Sequence, residues 1–461
     1  MLELVVDDVA QGGWCEAREP GGRVVLVRHA LPGERVLATV TEVTSRFARA
    51  EATAILEPSP DRVEPPCPHA RPGGCGGCDW QHAGLAAQRR LKGAVVSQQL
   101  RRIAGLDLPV TVEPMPGEAG GLGWRTRVRF AVGRDGTAGL HKHRSHKVLD
   151  VGECPIAHPV VTEAGVTRHS WPGAESVQAV GSPAAGGHVV VVTPSTRRQP
   201  RGTPGRAGPG GRPPETPRES PARRDTAAAR PASPASAEPG GRSGRYARWA
   251  EQVEGPVLVA GRGGLTALRG RPYLEQQAAG RSWRVSAEVF WQVHPAAPDV
   301  LAGAVTEALR PQPGEVALDL YCGAGLFAGL LADAVGPDGA VLGAESDPAA
   351  VRDARHNLRS TPWARIHRGD VAAVLDRVDW ARASLAVLDP PRAGAGRPVL
   401  DRLLAPGSSL RRVAYVSCDP ATLARDIAQF TAAGWRLDAL RAFDAFPMTH
   451  HVECVATLSR D

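Results

Sequence analysis

The chain has 461 residues, 42% hydrophobic and 22% charged, long enough for two or three domains with cores of their own and too long for a single small scaffold. No apolar run reaches membrane length, and the start, Met1-Leu-Glu-Leu-Val-Val-Asp-Asp, carries acids where a secretory leader carries bases and a long apolar core, so the expected setting is the cytoplasm. The net charge of +7 suggests a polyanionic partner, yet 11 arginines against 4 acids fall between Arg197 and Arg245 and leave 44 of each sign elsewhere, which makes whole-chain basicity weak testimony for nucleic acid.

Residues 1–57 read as short strands, Leu2-Glu-Leu-Val-Val, Arg23-Val-Val-Leu-Val and Arg35-Val-Leu-Ala-Thr-Val, punctuated by Gly12-Gly13, Gly21-Gly22 and Pro32-Gly33. The pattern predicts a small OB-like barrel, either an RNA-holding module or a packing one. Residues 58–193 are expected to form a β-rich domain around Cys67, Cys75, Cys78 and Cys154. In a cytosolic chain such spacing favours a metal or a cluster over disulfides. Leu85 to Ile103 has helical spacing. Further on, Arg125, Arg127 and Arg129 alternate with Thr126, Val128 and Phe130, placing three guanidinium groups on one face of a strand. With the run His141-Lys-His-Arg-Ser-His-Lys147 they form the best candidate phosphate-binding surface, an ordinary solvated face being the alternative.

Residues 194–245 are dominated by Pro, Gly, Ala, Ser and Arg and predict a disordered insertion. The rest, 246–461, alternates strands and helices. Glu315-Val-Ala-Leu-Asp-Leu, Ala340-Val-Leu-Gly-Ala-Glu, Ser384-Leu-Ala-Val-Leu-Asp and Arg412-Val-Ala-Tyr-Val-Ser recur at βαβ intervals. That implies an α/β Rossmann-like domain, doubly wound on a largely parallel sheet.

Asp319-Leu-Tyr-Cys-Gly-Ala-Gly325 leaves the first of these strands and opens a helix. Gly323 and Gly325 let the backbone approach a ligand, and the helix N-terminus offers free N–H groups to a carboxylate. Glu345 ends the next strand, where an acid accepts ribose hydroxyls. The turn lacks the third glycine of a dinucleotide site, and Arg368-Gly-Asp370 closes the third strand region, placing an acid for an adenine amino group. Both features favour S-adenosylmethionine over a nicotinamide. Asp370 reads equally well as the N-cap of a helix starting at Val371.

Asp389-Pro-Pro-Arg392, Ser417-Cys-Asp-Pro-Ala-Thr-Leu-Ala-Arg-Asp426 and Phe446-Pro-Met-Thr-His-His-Val-Glu-Cys454 complete the constellation. With Phe290-Trp-Gln-Val-His294, the glycine turn and the cysteine set, they resemble the uracil-5 methyltransferase family that modifies transfer and ribosomal RNA. The resemblance covers nearly the whole chain except the insertion. It implies that Cys418 adds to carbon 6 of uracil and makes carbon 5 electron-rich, and that Glu453 removes the carbon-5 proton. It implies cofactor contacts from Gln292, Tyr321, Glu345 and Asp389, and a barrel of the TRAM type. Chemistry alone leaves zinc and an iron–sulfur cluster open for the four cysteines; the resemblance implies a structural 4Fe-4S cluster. The Cys67–Cys75 gap is longer than in the family pattern, which makes His69 the substitute for Cys67. Phe290 or Trp291 is available to a flipped base. Cys322 is expected to pack within the glycine turn, while Cys15 and Cys454 have no assigned role.

The expectation is a cytoplasmic monomer that methylates carbon 5 of a uridine in RNA. Ribosomal RNA is favoured over transfer RNA because the resembled ribosomal enzymes carry both the barrel and the cysteine set. Cytosine or small-molecule methylation, and an inactive iron–sulfur RNA-binding protein, are the rival readings.

Overall fold

The computed structural model describes residues 1–196 and 243–460, so the expected insertion lies almost wholly outside the described residues. Leu2–Ala10 (β1), Trp14–Arg18 (β2), Val24–Arg28 (β3), Arg35–Val43 (β4) and Phe47–Glu57 (β5) close into a barrel in the order β1-β2-β3-β5-β4. Alternate residues point inward, among them Val25, Val27, Val36, Ala38, Ala48 and Ala50, and the small alanines suit the narrow interior of a five-stranded closure. The N-terminal barrel is the one expected.

Leu85–Gln99 forms α1, continued by a π-helical turn to Ala104, in agreement with the helical spacing. Val112–Glu113 (β6) is a two-residue strand. A seven-stranded sheet follows, built from Arg127–Val132 (β7), Ala138–His141 (β8), Val148–Leu149 (β9), Ala174–Ser182 (β10), Gly187–Pro194 (β11), Val257–Gly261 (β12) and Gly264–Arg269 (β13), with helices Pro159–Thr162 (α2) and Ser243–Gln252 (α3). Its order is β13-β12-β11-β10-β7-β8-β9. This corrects the domain border expected at 246. Val190, Val191 and Val192 of β11 pair in parallel with Val257, Leu258 and Val259 of β12, and Trp249 of α3 joins Trp171 in the core of that sheet. Each strand pairs a backbone edge that the other would leave open.

The hairpin Tyr273–Ala278 (β14) and Arg281–Ser286 (β15) leads into the last layer. There Ala297–Leu309 (α4), Val316–Leu320 (β16), Leu326–Val335 (α5), Ala340–Glu345 (β17), Pro348–Asn357 (α6), Ala364–Arg368 (β18), Val371–Leu375 (α7), Leu385–Leu388 (β19), Arg397–Leu403 (α8), Arg412–Ser417 (β20), Pro420–Ala432 (α9), Arg436–Phe443 (β21) and Glu453–Ser459 (β22) alternate as the spacing predicts. The sheet runs β18-β17-β16-β19-β20-β22-β21-β6. Residues of α4, α5 and α6 bury one apolar cluster and those of α7, α8, α9 and α1 another, so the sheet is covered on both faces and its central strands are largely apolar. The winding reverses between β16 and β19, which opens a crevice at their C-terminal ends. No helix among the described residues is long and apolar enough to cross a membrane.

Candidate active site

The glycine turn leaves β16 at this crevice. Tyr321 sits at φ +67°, and Gly325 at φ +94° lets the chain turn into α5 without a Cβ clash. Glu345, at the end of neighbouring β17, accepts from Gly323 N at 3.0 Å and from Asp347 N at 2.8 Å, so its carboxylate is already aimed at the turn. Asp370 caps α7, accepting from Ala373 N at 3.1 Å, and its charge helps raise the nearby Tyr321 hydroxyl to about 12, behind burial as the main cause. Cys322 packs in the core beneath the turn.

Asp319, one strand position before Leu320, was not singled out by the sequence. It is fully buried, and its carboxylate has no well-formed hydrogen bond, the Ala328 backbone N–H alone acting on it weakly. Burial pushes it up to about 8, helped by the nearby charges of Asp389 and Glu345. A buried acid with so little hydrogen bonding costs stability. Gln292 is buried in the segment after β15. That segment is pinned through Val293 O by Thr126 N and Oγ1, both at 2.9 Å, and among the described residues Gln292 makes no hydrogen bond with the glycine turn.

Strand register assembles the reactive groups. Ser417 of β20 pairs with Cys454 of antiparallel β22, so one step further Cys418 faces Glu453 on the same side of the sheet. Glu453 is 3% exposed, and its carboxyl is held well above the usual range, first by burial and then by Asp389. Asp389 ends β19 beside it and is itself pushed up to about 7 by burial. Two carboxyl groups this close cannot both ionise freely. Burial raises the Cys418 thiol to about 11, Glu453 adds to the rise, and the Arg392 charge opposes it.

The loop carrying Asp389 and Arg392 is clamped. Asp389 N donates to Leu320 O at 3.2 Å, Tyr321 Oη to Ala395 O at 2.9 Å, and Ala395 N to buried Asp426 at 3.0 Å. At Gly394, φ +79°, a Cβ would lie 2.6 Å from Asp426 Oδ2. The sequence placed Arg392 in a motif but gave it no role; its partner Cys418 is too remote in the chain for spacing to reveal.

The four candidate ligand cysteines meet. Cys67, Cys75, Cys78 and Cys154 line one cavity with Gln81, Arg125 and apolar residues including Val128 and Ile156, and all four thiols are free. His69, the possible substitute, does not line it. Gly76 is needed because a Cβ there would come within 2.9 Å of His143 Cα. Burial drives the Cys78 thiol up to about 12 and also raises Cys75 and Cys154. Among the described residues no group of three or more His, Cys, Asp or Glu is arranged to hold a single metal ion.

Residues 374–461 match the profile described as tRNA (uracil-5-)-methyltransferase, residues 2–53 the TRAM domain, and residues 272–373 protein-L-isoaspartate (D-aspartate) O-methyltransferase. Over 471 residues the chain is 46% identical to an RNA methyltransferase of Streptomyces avermitilis, covering 99% of this chain and 97% of that one. The chain belongs to the family of these RNA methyltransferases. A second relative, an RNA methyltransferase of Streptomyces coelicolor, is 47% identical over 99% of this chain and 92% of its own. The crystal structure of the Pyrococcus abyssi tRNA (uracil-54, C5)-methyltransferase in complex with S-adenosyl-L-homocysteine shares the fold, with a TM-score of 0.67 at 20% identity over 99% of this chain and 100% of that one. The protein is thus an RNA methyltransferase.

For an RNA methyltransferase the three-arginine face needs correction. Arg127 is turned inward and donates to Ala287 O at 2.9 Å and Val289 O at 2.6 Å, and burial lowers it to about 10. The strand alternation is real, but the segment after β15 covers that part of the face. Arg125 lines the cysteine cavity and Arg129 alone is exposed. In the basic run, burial lowers His143 to about 4 and its ring meets Trp14 edge-on at 6.1 Å, while His141, Arg144, His146 and Lys147 remain exposed. Phe290 is 62% exposed, whereas Trp291 packs against Trp283 at 6.2 Å, leaving Phe290 as the aromatic free to meet a base.

Proposed function

We propose that this enzyme methylates carbon 5 of a uridine in RNA through a transient bond between Cys418 Sγ and carbon 6. The observation that carries the reading is Cys418 facing the Glu453–Asp389 carboxyl pair, with Arg392 beside the thiol. Arg392 favours the thiolate against burial, and the thiolate adds to carbon 6, sending the ring electrons to carbon 5. Bound S-adenosylmethionine supplies an electrophilic methyl group. Glu453 then takes the carbon-5 proton, and the electrons of that C–H bond re-form the ring double bond as Sγ leaves. Asp389 keeps Glu453 basic by repulsion. Asp319 suits the cationic ammonium of the cofactor's methionine part, Glu345 its ribose, and Tyr321, Gly323, Gly325, Asp370, Asp389 and Gln292 complete its surroundings.

The same reading assigns a structural 4Fe-4S cluster to Cys67, Cys75, Cys78 and Cys154. Four free thiols lining one cavity supply the donor set that such an inorganic core takes. When bound, the cluster would cross-link the 67–78 loop to the remote Cys154 segment.

The RNA class is a matter for experiment, because the chain also shares its overall fold with a transfer-RNA enzyme. Ribosomal and transfer RNA lacking modification are incubated with methyl-labelled S-adenosylmethionine, and the product is mapped. The expected outcome is 5-methyluridine at one site, in ribosomal RNA on the family resemblance, with 5-fluorouridine transcripts trapped on Cys418. Product at cytosine, or transcripts that never become trapped, overturns the reading.

A further inference from the structure

Asp79 follows the cavity residue Cys78 and is joined to three parts of the molecule. Its Oδ1 accepts from buried Arg28 of the barrel at 3.1 Å. Its Oδ2 accepts from His450 Nδ1 at 2.6 Å and His450 N at 3.3 Å. Its backbone N–H and that of Trp80 both donate to Met448 O, at 3.0 and 3.1 Å. Gly13 of the barrel lies so close that a Cβ there would meet Asp79 Cβ at 2.6 Å.

The turn that Asp79 holds, 446–451, connects β21 to Glu453. Met448 stands at φ +68°, a conformation an unbranched side chain adopts only when its surroundings impose it. Gln88 Oε1 accepts from Met448 N at 2.8 Å, and Lys92 Nζ donates to Phe446 O at 3.0 Å. Beyond His450 the contacts continue into the catalytic crevice. The His450 and His451 rings lie 4.0 Å apart, Arg392 Nη2 approaches His451 Nε2 at 2.9 Å, and the Arg392 charge acts on the Cys418 thiol.

We infer that Asp79 is a positioning residue for methyl transfer: it fixes the 446–451 turn from outside the catalytic sheet, and through His450 and His451 it sets the Arg392 guanidinium against Cys418. The barrel and the cysteine loop both bear on Asp79, so both act on the nucleophile without touching substrate there. This rests on the role proposed for Cys418, and the test separates the two.

Full-length Asp79→Ala, Asp79→Asn and His450→Ala are compared with wild type. Alkylation of Cys418 by iodoacetamide, followed by peptide mass spectrometry, reads Arg392 placement without any RNA. With Asp79→Ala the alkylation rate is expected to fall about fivefold and kcat about tenfold, with KM for RNA and cofactor changed less than about twofold. Asp79→Asn keeps an oxygen for His450 Nδ1 and should recover at least about half of kcat. His450→Ala should reproduce Asp79→Ala, which keeps the test intact if that variant does not fold. Wild-type alkylation and kcat in either alanine variant overturn the inference, as does a loss confined to KM or one that only follows the folded fraction in a thermal melt. Slower alkylation in the variants, with no 5-fluorouridine trapping by wild type, would uphold the positioning and reject the uracil chemistry.

Discussion

The catalytic crevice and the cysteine cavity both gather buried groups pushed away from their charged forms, but they are built differently. The crevice hangs on strand ends: Cys418, Glu453, Asp389, Asp319 and Glu345 each sit at or near the edge of one hydrogen-bonded sheet, whose ladder fixes their spacing with no ligand present. The cavity hangs on loops, where Cys67, Cys75 and Cys78 meet Cys154 from a distant stretch. A strand-built site is rigid before it binds anything, whereas a loop-built one owes more of its shape to what it holds.

Variants sharpen that contrast. Cys418→Ala should lower kcat by at least about 10⁴-fold with an unchanged melting curve, since the nucleophile has no substitute; near-normal turnover by labelled methyl transfer breaks the comparison at its centre. Glu453→Gln should cost about 10²–10⁴-fold and let the methylated Cys418–RNA adduct accumulate, visible as a band shift in a denaturing gel. On the cavity side the larger response should be structural. Cys154→Ser is expected to lose bound iron and lower Tm by several degrees, measured by metal analysis and calorimetry; an unchanged Tm would mean the loops stand without a cross-link.

Two smaller effects follow from the buried acids. Asp319 is raised from 3.8 to about 8, so the folded state holds its proton more tightly than the unfolded chain and stability falls as pH rises between those values. Asp319→Asn should therefore raise Tm at about pH 8 while weakening cofactor binding about tenfold by calorimetry. Activity should rise with pH as the Asp389–Glu453 pair gives up its protons, because Glu453 must be free to take one; Asp389 is pushed up to about 7 and Glu453 is held well above the usual carboxylate range. Asp389→Asn removes the repulsion on Glu453 and should move that acid limb down by roughly one pH unit, whatever it does to the maximal rate.

Much of the crevice could be read from the sequence because its motifs lie on successive strands with apolar runs, where position along the chain translates directly into position on the sheet edge. Asp319 escaped because an acid inside a strand motif carries no outward sign that its oxygens lack well-formed hydrogen bonds. Arg127 misled because alternation fixes a face but not what covers it. The border at 246 misled because the change in composition around the insertion suggested a domain boundary, while β11 and β12 pair across it. Asp79 and His450, 371 positions apart, meet only after three layers have packed, and no local pattern reports that.

The edge strand β6 has a consequence for any attempt to work with the catalytic half alone. Val112 and Glu113 pair with Ala442 and Phe443, and Glu113 also forms an ion pair with Arg441 at 2.8 Å. A fragment starting after the insertion would expose that rim of β21 to sticky self-association and would strip α1 from the apolar surface it shields. The transferase layer is therefore not an autonomous module to be grafted onto other RNA-binding parts, because α1 and β6, from before the insertion, are built into it.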